Sequence, residues 1–213
     1  MTQWPIYRAG ADDDINADGR VLSGFAARFD RVYDLGPWTE RVHRSAFNKT
    51  IQEQDVGALF NHDANQVLGR MSNGTLRLNA TSTGLRYEID LPETALGDEI
   101  RALVDRGDLG GSSFAGRVME SSFDESQDPP VETLRQVSLR DVGPVMFPAY
   151  DGTTPQLRAE RLEVLSRDLG VPLDVITRAA NEGGLSDILG GKPPADRTPA
   201  PAPGRRKFDH LAR

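Results

Sequence analysis

Apolar and polar residues alternate along much of the first 150 residues, in short runs separated by turn residues. Side chains two residues apart lie on the same face of a β-strand, so this alternation predicts strands that each bury one face. The predicted strands span residues 21–29, 56–62, 67–71, 75–79, 85–91, 112–118 and 134–142. The Asn73-Gly74 pair also predicts a hairpin between the strands on either side of it.

One segment of this region has a helical period instead. Its apolar residues recur at i, i+4, i+7 and i+8 and are Leu96, Ile100, Leu103 and Val104. Thr94 precedes this stripe as a helix N-cap, and Gly107 follows it at a position suited to a left-handed turn. The chain order therefore predicts an α+β fold that is mainly β, with one central helix.

The rest of the chain has a different character. Leucines recur at helix-like intervals over residues 156–189, which predicts a helical appendage, whereas residues 190–213 are rich in proline. After Leu189 there are six basic and two acidic residues, so this last segment carries +4 and the remainder −11. We expect an N-terminal extension over residues 1–19, a folded domain over residues 20–155, the appendage, and a disordered basic Pro-rich tail.

Composition excludes several classes of function. The absence of cysteine excludes disulfides, thiolate nucleophiles and thiolate zinc sites, and the net charge of −7 argues against a surface that coats nucleic acid. No apolar run is long enough to span a membrane, and the N-terminus does not resemble a secretory signal. Nucleotide-binding glycine motifs and metal-binding His-Glu-x-x-His motifs do not occur, so we predict no cofactor and no metal.

Of the three histidines, His62 has the most suggestive surroundings. It lies at the end of the predicted strand 56–62, just after that strand's apolar part, and is flanked by Asn61 and Asp63 at the expected rim of the core. His43 lies in a polar stretch typical of a surface, and His210 lies in the tail. Histidine is the usual general base near neutral pH, so His62 is either such a base or a loop residue hydrogen-bonded to Asp63.

Hydroxyl groups follow the Gly110-Gly111 pair at Ser112 and Ser113, on a backbone that a ligand can approach closely. The serine turn of the α/β-hydrolases does not fit this segment, because here the chain runs from helix to strand rather than from strand to helix.

A carboxylate is expected to point into the core from the last predicted strand. Asp141 shares a face with Val137 and Leu139 by alternation. Buried carboxylates are rare unless they are paired. Asp141 is therefore an edge-strand charge, an ion-pair partner of Arg117 or Arg140, or a group that orients a histidine.

Six blocks of sequence, taken together, resemble the tailed-phage prohead (head maturation) serine proteases, which are related to the herpesvirus assembly proteases. The blocks are SGFAARFD (23–30), RSAF (44–47), ALFNHD (58–63), LGR (68–70), GDLGGSSFAGRV (107–118) and LRDVGPVMFPAY (139–150). They stand in the family's order and at its spacing, and the resemblance covers residues 20–155.

The resemblance implies a small antiparallel β-barrel-like protease domain and serine endopeptidase activity. Matched by motif position, its catalytic residues are His62, Ser113 and Asp141. The family often has glutamate at the position of Asp141, and a large apolar residue at that of Ser112. Ala115-Gly116 replaces the family's usual Gly-aromatic pair.

These departures leave alternatives open. Ser112 remains a second candidate for the nucleophile. His43 remains an alternative to Asp141 as the third catalytic residue, because the herpesvirus enzymes have a second histidine in that role. The altered residues around Ser113 also keep open a catalytically inactive scaffold or capsid-assembly module, and an esterase could use the same groups.

The resemblance further implies scaffold and major capsid protein as substrates, together with the chain itself, inside the assembling prohead in the host cell cytoplasm. It requires no nucleic acid, membrane or cofactor, and self-association is open. We expect self-cleavage in the tail, because an extended segment is accessible to a peptidase.

Overall fold

The computed structural model describes residues 9–11, 15–34, 38–124 and 126–148, together with parts of residues 159–188. The predicted tail and His210 lie outside the described residues.

The strands, in chain order, are β1 (Ala9–Ala11), β2 (Asn16–Asp18), β3 (Val21–Arg28), β4 (Val32–Asp34), β5 (Thr39–Val42), β6 (Gly57–Leu59), β7 (Val67–Arg70), β8 (Leu76–Ala80), β9 (Gly84–Asp90), β10 (Gly111–Asp124) and β11 (Val131–Val145). The helices with defined bounds are α1 (Asn48–Glu53), α2 (Ala95–Asp105) and α3 (Leu173–Glu182).

The first sheet is built around the long antiparallel pair of β10 and β11. Its strand order is β1-β10-β11-β5-β4, with β6 also paired to β11 and β7 paired to β6. On the side away from β10, β11 pairs in parallel with β5 near Val131 and with β6 at Asp141 and Val142. β11 thus brings together strands that lie far apart in the chain.

The second sheet is antiparallel, in the order β2-β3-β9-β8. A parallel bridge between Phe29, directly after β3, and Val42 of β5 links this sheet to the first one. The prediction of a mainly β, α+β fold is confirmed. The division of the chain into four parts stays a prediction, although β1 and β2, from the expected N-terminal extension, pair with β10 and β3.

A large hydrophobic cluster of buried residues lies between the sheets and under α2. The alternation predicted in β9 is present, since Leu85, Tyr87 and Ile89 are fully buried. On α2, Ile100 is fully buried, and the predicted cap forms because Thr94 Oγ1 accepts a hydrogen bond from the Gly97 N–H.

The appendage packs on the end of the first sheet. Leu162, Leu165, Ile176 and Leu185 form a second buried cluster with Trp38, and Phe123 of β10 packs against it. Among the described residues, no helix is long and apolar enough to cross a membrane.

The prediction of a hairpin at Asn73-Gly74 is wrong. β7 pairs with β6 and β8 pairs with β9, so the strands that flank this turn belong to different sheets. Gly74 has the expected positive φ, 72°, but it ends a short 3-10 turn over Met71–Asn73. A local turn signal indicates a left-handed residue and does not determine which strands then pair.

Phe47 connects the core to the strand that carries the candidate serines. Its ring is fully buried, lies 6.2 Å from the Phe29 ring and meets the Phe114 ring edge-on at 5.2 Å between centroids. We expect Phe47→Ala to lower the free energy of unfolding by about 3–5 kcal/mol, because it leaves a cavity among these rings. Phe47→Leu should cost about 1.5 kcal/mol. Urea unfolding of both variants tests this, and a loss below about 1 kcal/mol for the alanine variant would contradict the packing described.

Candidate active site

Ser112 and Ser113 occupy successive positions of β10, so their side chains point to opposite sides of the strand. The Ser112 hydroxyl lies 2.8 Å from the Tyr87 hydroxyl, and both are buried between the sheets. Burial raises the pKa of the Tyr87 phenol, which therefore keeps its proton and can donate it to Ser112. Ser112 is thus hydrogen-bonded inside the core, on the side of β10 opposite to Ser113 and His62.

Ser113 faces the histidine predicted from the sequence. Its Oγ lies 3.0 Å from His62 Nε2, and the carbonyl oxygen of Phe114 is its longer alternative partner, at 3.4 Å. The imidazole is placed there by the turn after β6, the strand that pairs with β11.

Asp141 completes this arrangement from β11. The residue is fully buried, and its Oδ1 lies 2.5 Å from His62 Nδ1. Its other oxygen, Oδ2, accepts a hydrogen bond of 2.8 Å from Arg140 Nε. Asp141 therefore contacts both the histidine and Arg140, one of the two arginines considered for it.

For a neutral imidazole, the contacts at the two ring nitrogens indicate which of them carries the single proton. A carboxylate only accepts hydrogen bonds, so His62 Nδ1 carries the proton when it bonds Asp141. Nε2 is then left as an acceptor, directed at the Ser113 hydroxyl. In this tautomer the histidine can remove a proton from the serine, as nucleophilic catalysis by a hydroxyl requires.

Comparison with known proteins bears on this geometry. A family model described as caudovirus prohead serine protease matches residues 8–168. The chain belongs to the caudovirus prohead serine protease family. No curated protein and no solved structure matches it. Membership implies a serine peptidase of phage head maturation, and the resemblance identified from the sequence blocks is thereby confirmed.

In this prohead protease family member, the turn that carries the histidine has an unusual backbone. Asn61 and His62 have φ angles of 51° and 58°, in the left-handed region that residues other than glycine rarely adopt. Asparagine and histidine adopt this region more often than most other residues, but it still costs energy that contacts with the surroundings must offset.

Asn61 supplies part of that support. Its N–H donates to the carbonyl oxygen of Pro144 at 3.0 Å, and its Oδ1 accepts from the Met146 N–H at 2.9 Å. On the other side of the turn, the Asp63 carboxylate accepts the Asn65 N–H at 2.8 Å. The turn is therefore held against the end of β11, the strand that also carries Asp141.

The three candidate groups are almost completely enclosed. Ser113 is 1% exposed, and the side chains of His62 and Asp141 are 4% and 1% exposed. β1 runs along the edge of β10 with Gly10 opposite Ser113.

His43, the alternative third member, lies elsewhere. Its Nδ1 is hydrogen-bonded to Ser45 Oγ at 2.8 Å, and its N–H pairs with Leu134, whereas Ser113 pairs with Gly143 near the other end of β11. Within the described residues, no group of three or more histidine and acidic side chains could hold a metal ion.

Sequence reasoning missed Asn61 as a positioning residue and noticed Arg140 only as one of two possible partners for Asp141. The sequence shows that Asn61 is next to His62. Its hydrogen bonds to the end of β11, however, depend on strand pairing that local sequence patterns do not predict. Only the asparagine itself, a residue suited to positive φ, hinted at the turn.

Substitutions at Asn61 separate its two contributions. Asn61→Gly keeps the positive φ but loses the bond from Met146, which should lower the free energy of unfolding by about 1 kcal/mol. Asn61→Ala loses the same bond and also disfavours the backbone angle, for about 1 kcal/mol more. Urea unfolding measures both, with Asn65→Ala in the same turn as the control. Equal stability of the glycine and alanine variants would show that the turn is not strained.

Proposed function

We propose that this protein is a serine endopeptidase in which Ser113 is the nucleophile, His62 is the general base and Asp141 orients the imidazole. The observation that carries the proposal is the contact order from Ser113 Oγ to His62 Nε2, 3.0 Å, and from His62 Nδ1 to Asp141 Oδ1, 2.5 Å. An isolated serine hydroxyl is a poor nucleophile near pH 7, and this chain of contacts supplies the base that it requires.

The reaction then follows from the contacts of the two imidazole nitrogens. Ser113 Oγ forms a bond to the peptide carbonyl carbon while its proton passes to Nε2. As the carbon–nitrogen bond breaks, Nε2 returns that proton to the leaving amine, and an acyl group remains on Ser113. Water, deprotonated by the same nitrogen, releases the acyl group and restores the serine. Asp141 stabilises the positive imidazolium formed in each half.

The substrates that we propose are segments of the scaffold and major capsid proteins, and of this chain, inside the assembling prohead in the host cell cytoplasm. Support for a capsid-related substrate comes from the family, described as prohead proteases. Support for self-cleavage in residues 190–213 comes from their proline-rich composition, which favours an extended chain that a peptidase can bind.

Expression of the protein alone tests the proposal. We expect self-trimming, seen by mass spectrometry, that disappears in Ser113→Ala and in His62→Ala. The matched control is the double variant Ser112→Ala, Tyr87→Phe, which removes both buried hydroxyls together and so leaves neither unsatisfied. This control should still trim.

The outcomes separate the candidates. Trimming that survives in Ser113→Ala but not in the Ser112 double variant would show that Ser112, and not Ser113, is the nucleophile. A folded wild-type chain that cleaves neither itself nor capsid and scaffold segments would instead support an inactive assembly module. Cleavage of small esters without cleavage of any peptide would support the esterase.

Asp141 provides a second test. Asp141→Asn should lower kcat by about 10³- to 10⁴-fold, because an amide can donate to Nδ1 and so favour the tautomer with its proton on Nε2. Asp141→Glu keeps the negative charge and should retain substantially more activity. Steady-state kinetics on a cleaved capsid or scaffold peptide measure both variants, and an asparagine variant with wild-type kcat would remove Asp141 from the mechanism.

A further inference from the structure

Arg140 and Asp141 are consecutive residues of β11, yet their side chains meet. In a regular strand, consecutive side chains point to opposite faces of the sheet. Here the pairing with β10 shifts, since Ala115 is opposite Asp141 and Gly116 is opposite Leu139. Arg140 is the extra residue at this irregularity and has no partner on β10.

Such a bulge redirects a side chain, and bulges are frequent beside active sites. Gly116 makes the local approach of the strands possible, because a Cβ atom there would clash with the carbonyl oxygen of Ser138. As a result, the Arg140 guanidinium lies on the same side as the Asp141 carboxylate, with Nε 2.8 Å from Oδ2.

The carboxylate is thereby held at both of its oxygens. Oδ1 bonds the His62 imidazole and Oδ2 bonds Arg140. Since the Asp141 side chain is 1% exposed, solvent has little access to replace a lost donor. The Arg140 side chain is 36% exposed, so the cation reaches the rim of the site while its Nε serves the buried acid.

We propose that Arg140 is a positioning residue for the peptidase reaction, acting through Asp141. This inference rests on the proposed function. By occupying Oδ2, Arg140 fixes the plane of the carboxylate, so that Oδ1 stays directed at His62 Nδ1 and the imidazole stays directed at Ser113. An ordinary exposed ion pair contributes little, but this one satisfies a buried oxygen.

The test uses a fluorophosphonate probe, which reacts covalently with activated serines, on the full-length protein. We expect Arg140→Gln to slow labelling of Ser113 by about 10- to 100-fold, because a small misalignment of the reacting groups costs that much. Arg140→Lys keeps a cation near Oδ2 and should be several-fold faster than the glutamine variant. Arg135→Gln, on the same strand and bonded instead to Ser122, should label like the wild type.

A structural role alone would predict a different pattern. Thermal unfolding of each variant shows whether slow labelling follows loss of stability; a positioning role predicts slow labelling in Arg140→Gln protein that is folded at the assay temperature. We expect a far-downfield proton resonance for His62 Nδ1–H because of its short hydrogen bond to Asp141. This resonance should move or broaden in Arg140→Gln and stay unchanged in Arg135→Gln. If Arg140→Gln does not fold, both measurements are made on Arg140→Lys. We then expect slower labelling than in the wild type and a shifted resonance.

The failures are distinguishable. Folded wild-type protein that takes up no label contradicts the proposed function, and the role of Arg140 with it. Wild-type protein that labels, together with an Arg140→Gln variant that labels equally fast, contradicts the role of Arg140 alone. Equal slowing in the Arg140 and Arg135 variants, or an unchanged resonance, overturns it as well.

Discussion

The buried carboxylate of Asp141 is the constraint on which the candidate site depends. A carboxylate removed from water is costly unless hydrogen-bond donors compensate for the lost solvation. Its donors come from two places, the turn after β6 and the neighbouring residue of β11. To bring them together, β6 must lie beside β11, the chain must turn through positive φ at Asn61 and His62, and β11 must bulge at Arg140.

The alternation of a β-strand then gives two adjacent serines different partners. One face of β10 turns Ser112 toward Tyr87 and the second sheet, and the other turns Ser113 toward His62. The hydroxyl of Ser112 therefore helps to join the sheets, whereas that of Ser113 meets a potential base. The rigid pair of β10 and β11 places Ser113 and Asp141 two pairing positions apart, so few flexible residues separate the groups that must align.

Sequence reasoning succeeded where structure depends on neighbours in the chain. The start of α2 follows from the capping residue Thr94. The inward direction of the Asp141 side chain follows from the alternation of its strand. It failed where distant partners decide, as when Asn73-Gly74 joined two sheets instead of two paired strands. The parallel pairing of β6 with β11, and with it the contact between His62 and Asp141, joins segments 79 residues apart and leaves no local pattern. The blocks that resemble the family identified His62, Ser113 and Asp141 as candidates. The spacing of these residues in the chain did not show that they lie close together.

The most direct measurement is the position of a covalent serine adduct. Folded, full-length protein would be treated with a fluorophosphonate, digested, and the modified residue located by mass spectrometry. If Ser113 is the nucleophile and His62 its base, the adduct lies on Ser113 and is lost in His62→Ala. An adduct on Ser112, or none at all on a folded protein, would contradict it.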